Sequence, residues 1–121
     1  MNTKACGRAQ DRKTVALLAK MGYPSFTISA ASAGVFDTIS WNDKAVIFVQ
    51  NKRNDMPPRL ELLHLMRCKV PMNSHRFIFL WKTRARKPVV WQVRDTEIVE
   101  MDYTKFMDEF DMGEFVSATN S

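Results

Sequence analysis

The chain has 121 residues, 45% of them apolar, and a formal net charge of +5. That length suits one domain around one core. No apolar run approaches the roughly 20 residues of a membrane helix, the N-terminus lacks the apolar stretch of a signal peptide, and Cys6 and Cys68 have neither zinc spacing nor the number for a disulfide framework; a reduced, cytoplasmic setting in a cell or infected host is expected, with no membrane partner.

A first helix is expected over residues 9–21, with Val15, Leu18 and Met21 on one stripe and Leu17 beside it. Gly22 and Pro24 stop it. A strand should follow over residues 26–31. Residues 35–52 then read as two apolar strands joined by a tight turn at Asn42-Asp43. The loop Asn54-Asp55-Met56-Pro57-Pro58 leads into a second helix over residues 59–68, with Leu60, Leu63 and Met66 or Arg67 at helical spacing. Residues 75–82 and 88–94 form another strand pair. Asp102 should cap a last helix carrying Tyr103, Phe106, Met107 and Phe110. Residues 1–6 and 113–121 should be flexible ends. The expected order is α-β-β-β-α-β-β plus a C-terminal helix, an α+β or mixed α/β domain spanning residues 1–121.

The hairpin carries the chemistry. A two-residue turn would set Ser40 against Ala45 and Asp37 against Phe48. Gln50 and Lys52 share the side of Phe48, so Asp37 becomes the diagonal neighbour of Gln50. A carboxylate, an amide oxygen and an ammonium then converge on one face, a set able to hold a hard divalent cation and orient a water beside a phosphate.

Charge is divided along the chain. Residues 1–93 hold 16 Lys/Arg against five acids, a net of +11, and residues 94–121 hold two bases against eight acids, a net of −6. So basic a body attracts polyanions, nucleic acid first among them. Lys82, Arg84, Arg86 and Lys87 form a loop with no acid, suited to phosphate contact. Arg8, Arg12, Lys13 and Arg53 are further candidate DNA contacts. The acidic, aromatic C-terminal segment cannot be a DNA surface and reads as a helix packing on the domain or on a partner subunit. His64 and His75 lack metal spacing, and Trp41, Trp81 and Trp91 read as packing residues.

Three segments in order resemble the PD-(D/E)xK nuclease superfamily, and within it the archaeal-type Holliday junction resolvases and their phage or viral relatives. Gly7-Arg8-Ala9-Gln10-Asp11 is similar to the Gly-Arg start with an acid four residues after the glycine. Ser29-Ala30-Ala31-Ser32-Ala33-Gly34-Val35-Phe36-Asp37 is similar to the Ser-Ala-x-Ser-x-Gly-x-x-Asp segment. Val46-Ile47-Phe48-Val49-Gln50-Asn51-Lys52-Arg53 resembles the apolar strand ending in acid-x-Lys-basic. The likeness covers residues 7–53 well and the rest by element order.

The resemblance implies a restriction-endonuclease-like fold and Mg²⁺-dependent cleavage of DNA, with Mn²⁺ as a substitute. Asp37 would be the central ligand. Gln50 would add its side-chain oxygen, Asn51 its backbone carbonyl, and Asp11 a second carboxylate. Lys52 would stabilise the phosphate charge or help deprotonate the water, and Ser32 would contact the phosphate or a metal-held water. Branched DNA is the implied substrate and a homodimer the implied assembly. Gln50 stands where Glu is usual, as in Mrr-type restriction nucleases, and Asp11 where Glu is usual. Ala33 and Val35 replace a common His and Pro. A flap, fork or restriction-type nuclease, or a catalytically weak DNA-binding module of the same fold, remain as alternatives.

Overall fold

The computed structural model describes residues 3–27 and 36–113. Along the chain run α1 (Thr3–Lys20), β1 (Ser25–Thr27), β2 (Thr38–Trp41), β3 (Val46–Arg53), α2 (Arg59–Arg67), β4 (Ser74–Trp81), β5 (Val89–Val93), β6 (Ile98–Met101) and α3 (Tyr103–Phe110). The six strands form one sheet in chain order, β1-β2-β3-β4-β5-β6. Among the described strands, only β3 and β4 pair in parallel. A parallel pair needs a crossover, and α2 supplies it.

The element order is the expected one with one strand added. Ile98–Met101 has four residues that begin with the adjacent apolar pair Ile98-Val99, so strict alternation is broken, and its place comes from pairing along β5. The first helix starts at Thr3 rather than near residue 9. Ala5, Lys4 and Arg8 favour helix, and Gly7 costs only about 1 kcal/mol. Gly22 ends it with φ +94°, and a Cβ there would stand 2.8 Å from the Gly113 carbonyl oxygen. Both the left-handed backbone and the close approach call for glycine.

Two cores flank the sheet. On one face α1 and α3 cover Ile47, Val49, Phe77, Phe79 and Trp81, with Leu18, Met21, Phe106 and Phe110 supplied by the helices. On the other face α2 covers Ile78, Val93 and Phe36. Strand alternation makes this division: odd residues of β3 and β4 face α1, and even ones face α2. Burying each Phe of α3 contributes roughly 1.5–3 kcal/mol. Their rings meet Phe77 edge-on, with centroids 5.1 and 5.3 Å away. The aromatic C-terminal helix therefore packs on its own domain. Asp102 caps it, its carboxylate accepting from the Lys105 N–H at 3.3 Å.

Helix α2 corrects the expected stripe. Leu65 is its buried residue, with Leu62 and Met66 packed beside it, while Leu60 is 64% exposed. Two apolar stripes overlap in this helix, and the sheet selects the one at 62, 65 and 66. The Arg76 guanidinium then fastens the helix end. Its Nη1 donates to the carbonyls of Leu65, Met66 and Cys68 at 3.1, 2.8 and 3.2 Å, and its Nη2 meets Asp95 at 2.6 Å.

The hairpin register is also corrected. Ser40 pairs with Ile47 and Thr38 with Val49. The turn holds four residues, because Asn42 builds it with its side chain. Asn42 Oδ1 accepts from the N–H groups of Lys44 and Ala45 at 2.8 and 2.9 Å, and the Asn42 N–H donates to the Ala45 carbonyl at 3.0 Å. Such an Asx turn needs more chain than a two-residue loop. The partner shift is two residues, so no side chain changes face. The ladder ends at Thr38↔Val49, and Asp37 stands just beyond it rather than paired within it.

Candidate active site

Asp37 lies just before β2, where the chain bends. Its N–H still donates to the Val49 carbonyl at 2.8 Å, while its Oδ2 accepts from the Asn51 backbone N–H at 2.9 Å. The carboxylate is thus anchored to the strand that carries Gln50 and Lys52. Carbonyls of odd β3 residues point toward β2, as that of Val49 does, so the Asn51 carbonyl points to the same side, past the end of the ladder. Gln50 and Lys52 lie on the α2 face, both half-buried.

Asn51 has a second role that its place in the sequence did not announce. Its side chain turns to the α1 face and is buried. Its Nδ2 donates to Asp11 Oδ1 at 2.8 Å and to Thr38 Oγ1 at 2.9 Å. Its Oδ1 accepts from Thr14 Oγ1 at 2.5 Å, and Thr14 in turn accepts from Trp81 Nε1 at 3.0 Å. One residue therefore holds Asp37 by its backbone and Asp11 by its side chain. Gln10 and Thr14, buried polar residues on the core side of α1, were the available sequence signal. A polar pair on a buried helix face implies polar partners beneath it.

Burial dominates the electrostatics. Desolvation pushes the Asp37 carboxyl up to about 6; the Asn51 N–H pulls the other way, Asp11 pushes up, Lys52 pulls down and Glu61 pushes up. Asp11 is also raised, by burial against the pull of its Asn51 hydrogen bond. Two neighbouring carboxylates that are both reluctant to ionise suit a cation between them. The donors are oxygens, as a hard divalent ion requires. Among the described residues, no three His, Cys, Asp or Glu side chains gather as a metal cluster. An ion here would rest on two carboxylates and on neutral oxygens such as those of Gln50 and Asn51.

Glu61, one of the five acids among residues 1–93, lies in the first turn of α2. Its Oε2 stands 3.9 Å from the Lys52 Nζ, and its charge is felt at Asp37. The signal available was its place in the first turn after Pro57-Pro58, which aims it back at the end of β3.

The basic residues separate into two groups. Lys13, Arg53, Lys82 and Arg84 line one concavity together with Gln10, the chain neighbour of Asp11. Arg12 and Arg86 are exposed and outside it. Lys87 is also outside it and reaches α3, its Nζ 5.0 Å above the Tyr103 ring. Arg8 lies within α1, but its side chain is outside the described part. Ser32 also lies outside the described residues. Trp81 is buried, and Trp41 is 41% exposed. His75 packs edge-on against Phe110 at 4.8 Å, and burial lowers its imidazole pKa. No helix among the described residues is long and apolar enough to cross a membrane.

No protein-family model matches the chain, and no curated protein matches it in sequence. Among solved structures it is similar to Hjc from Archaeoglobus fulgidus, a Holliday junction resolvase from an archaeal hyperthermophile. The TM-score is 0.55 at 14% identity, over 88% of this chain and 93% of that one. A likeness at this identity is one of fold: an α+β architecture with a mixed sheet and flanking helices, shared over nearly the whole of both chains.

Proposed function

We propose that this chain is a Mg²⁺-dependent DNA endonuclease that cuts branched DNA, four-way junctions first. One observation carries the reading. Asn51 gathers Asp37 and Asp11 at the end of β3, next to Lys52, within a fold similar to that of a Holliday junction resolvase. Phosphodiester hydrolysis needs charge neutralisation at phosphorus and an activated water.

When bound, a divalent ion supplies Lewis acidity beside the phosphate and makes the hydrolytic water more acidic. Asp37 and Asp11 would hold it with their carboxylates, Gln50 with its amide oxygen and Asn51 with its backbone carbonyl. The Lys52 ammonium places positive charge where the phosphate gains negative charge. Its tether to Glu61 limits where that ammonium goes. Ser32 would contact the phosphate. Cations on α1 and on the β4–β5 loop hold the backbone of the DNA. One such site cuts one strand, so symmetric cleavage of a junction calls for two copies, as a homodimer.

The test is a side-by-side cleavage assay on a four-way junction, a flap and a linear duplex, with Mg²⁺, Mn²⁺ or EDTA. Metal-dependent cutting of the junction ahead of the others is the expected result. Preference for the flap would redirect the substrate. Tight binding with no cutting under any metal would leave a DNA-binding module.

A further inference from the structure

A concavity of about 350 Å³ opens between α1, the end of β3 and the loop after β4. Among the described residues that line it are the cations Lys13, Arg53, Lys82 and Arg84 and no acid. Its floor is Trp81, 3% exposed, with Lys13 Nζ 5.6 Å from the ring centroid. Stacking a base needs an open aromatic face, which this indole does not offer. The lining chemistry is that of a phosphate seat.

The seat is built rather than incidental. Asn54 ties its two loops together across 29 residues. The Asn54 N–H donates to the Trp81 carbonyl at 3.0 Å. Its Oδ1 accepts from the Thr83 N–H at 2.8 Å, and its Nδ2 donates to Thr83 Oγ1 at 2.9 Å. Lys82 Nζ donates to the Asn54 carbonyl at 3.0 Å. Asn54 and Arg84 both adopt left-handed backbone, at φ 63° and 66°. For Arg84 that conformation is sparsely populated and persists only where the surroundings fix it.

Its place relative to the carboxylates is set by the chain. Gln10 and Lys13 flank Asp11 on α1, and Arg53 follows Lys52 on β3. Arg53 is two strand residues from Asn51, about 7 Å along β3. That is the scale separating neighbouring phosphates on one strand.

We infer that this cradle seats one backbone phosphate of the cleaved strand, the neighbour of the phosphate held at the carboxylates, and that Asn54 is its positioning residue. The inference rests on the nuclease reading for the identity of the polyanion. It adds a fixed register: the strand is gripped at one defined step from the cut.

The experiment is a scan of junction DNA in which one phosphate at a time is a neutral methylphosphonate. Binding is measured with the intact chain in EDTA, so no cleavage intervenes. Cleavage in Mg²⁺ on unmodified DNA maps the cut. Wild type should lose roughly tenfold in affinity at the phosphate next to the cut, the scale of one charge-assisted hydrogen bond. Arg84→Gly removes the charge while suiting the positive φ, so the loop keeps its shape. It should weaken binding to unmodified DNA by a similar factor and erase the sensitivity at that one position. Asn54→Gly keeps every cation, suits the positive φ there, and should blunt the same position. Undiminished sensitivity there in both variants would overturn the cradle. If no metal supports cutting but a single position still couples to Arg84, the phosphate seat stands and the nuclease reading falls. If DNA is cut and no position couples, the seat alone falls.

Discussion

The Asn51 backbone N–H donates to Asp37 Oδ2 at 2.9 Å, so the strand that presents Lys52 also fixes the carboxylate opposite it. Any slip of β3 along β2 would move the acid and the ammonium relative to each other. The site is therefore as rigid as the β2–β3 ladder. The Asn51 side chain ties α1 to the same point through Asp11 and Thr14 and joins it to Thr38 of β2.

Asp37→Asn should abolish cleavage while leaving DNA affinity largely intact, because affinity comes mainly from many phosphate contacts. It should also stabilise the protein at pH 7 in EDTA. The Asp37 carboxyl lies at about 6 in the folded chain against an ordinary 3.8. Between those values the folded chain keeps a proton that the unfolded chain has lost. The stabilisation from this group is thus full below about 4 and is lost as pH rises through about 6. The substitution removes that loss. Thermal melts from pH 4 to 7 check it: a wild-type pH slope unchanged in the variant would show that another group is responsible.

Asn51→Ala should cost about 1–3 kcal/mol of stability, because Thr14 and Thr38 lose buried hydrogen-bond partners. Cleavage should fall as well, since Asp11 is released. Urea unfolding and a cleavage assay on the same preparation measure both effects. Asn51→Asp should be worse than Ala for stability, since it adds a third charge to two carboxylates already raised by burial.

Lys52→Ala should eliminate cleavage with DNA binding retained. Glu61→Gln should have a smaller effect, about fivefold on the cleavage rate, through looser placement of Lys52. Its effect on stability should be under 1 kcal/mol, because the pair is half-exposed and 3.9 Å apart. A Glu61→Gln rate equal to wild type would mean that Lys52 is placed by the strand alone.

Gln50→Glu should tighten Mg²⁺ binding by adding charge to a site with two carboxylates, and should preserve or raise cleavage. Gln50→Ala should raise the Mg²⁺ requirement. Metal titrations of cleavage rate at fixed salt compare the three proteins. A Gln50→Ala curve that overlies wild type would remove Gln50 from the donor set.

Local signals made much of the fold legible. Gly22 and Asp102 mark helix ends by backbone chemistry confined to a few residues, and the apolar runs at 46–49 and 77–81 mark central strands. Features set by partners distant in sequence were not legible. Whether α2 buries Leu63 or Leu65 depends on the sheet beneath it. Strand alternation puts the Asn51 side chain opposite those of Gln50 and Lys52, but nothing local says that Asp11, Thr14 and Thr38 wait there. The register failed for a chemical reason: Asn42 spends its side chain on the turn, which lengthens it by two residues. Gln50 and Lys52 share a face because an even shift preserves parity, while Asp37, at the bend before β2, meets their strand through the Asn51 N–H.

The sheet's spatial order repeats its order in the chain, β1 through β6. A chain emerging from synthesis can add each new strand to an edge that already exists, with α2 making the one return needed before β4. Such near-neighbour pairing lowers contact order and favours rapid folding. The link from Thr14 to Trp81 spans 67 residues and closes only once β4 has been laid down. Asp11 and Asn51 are therefore synthesised well before Trp81 joins their Thr14 neighbour, and the α1 side of the site is completed with the second half of the chain.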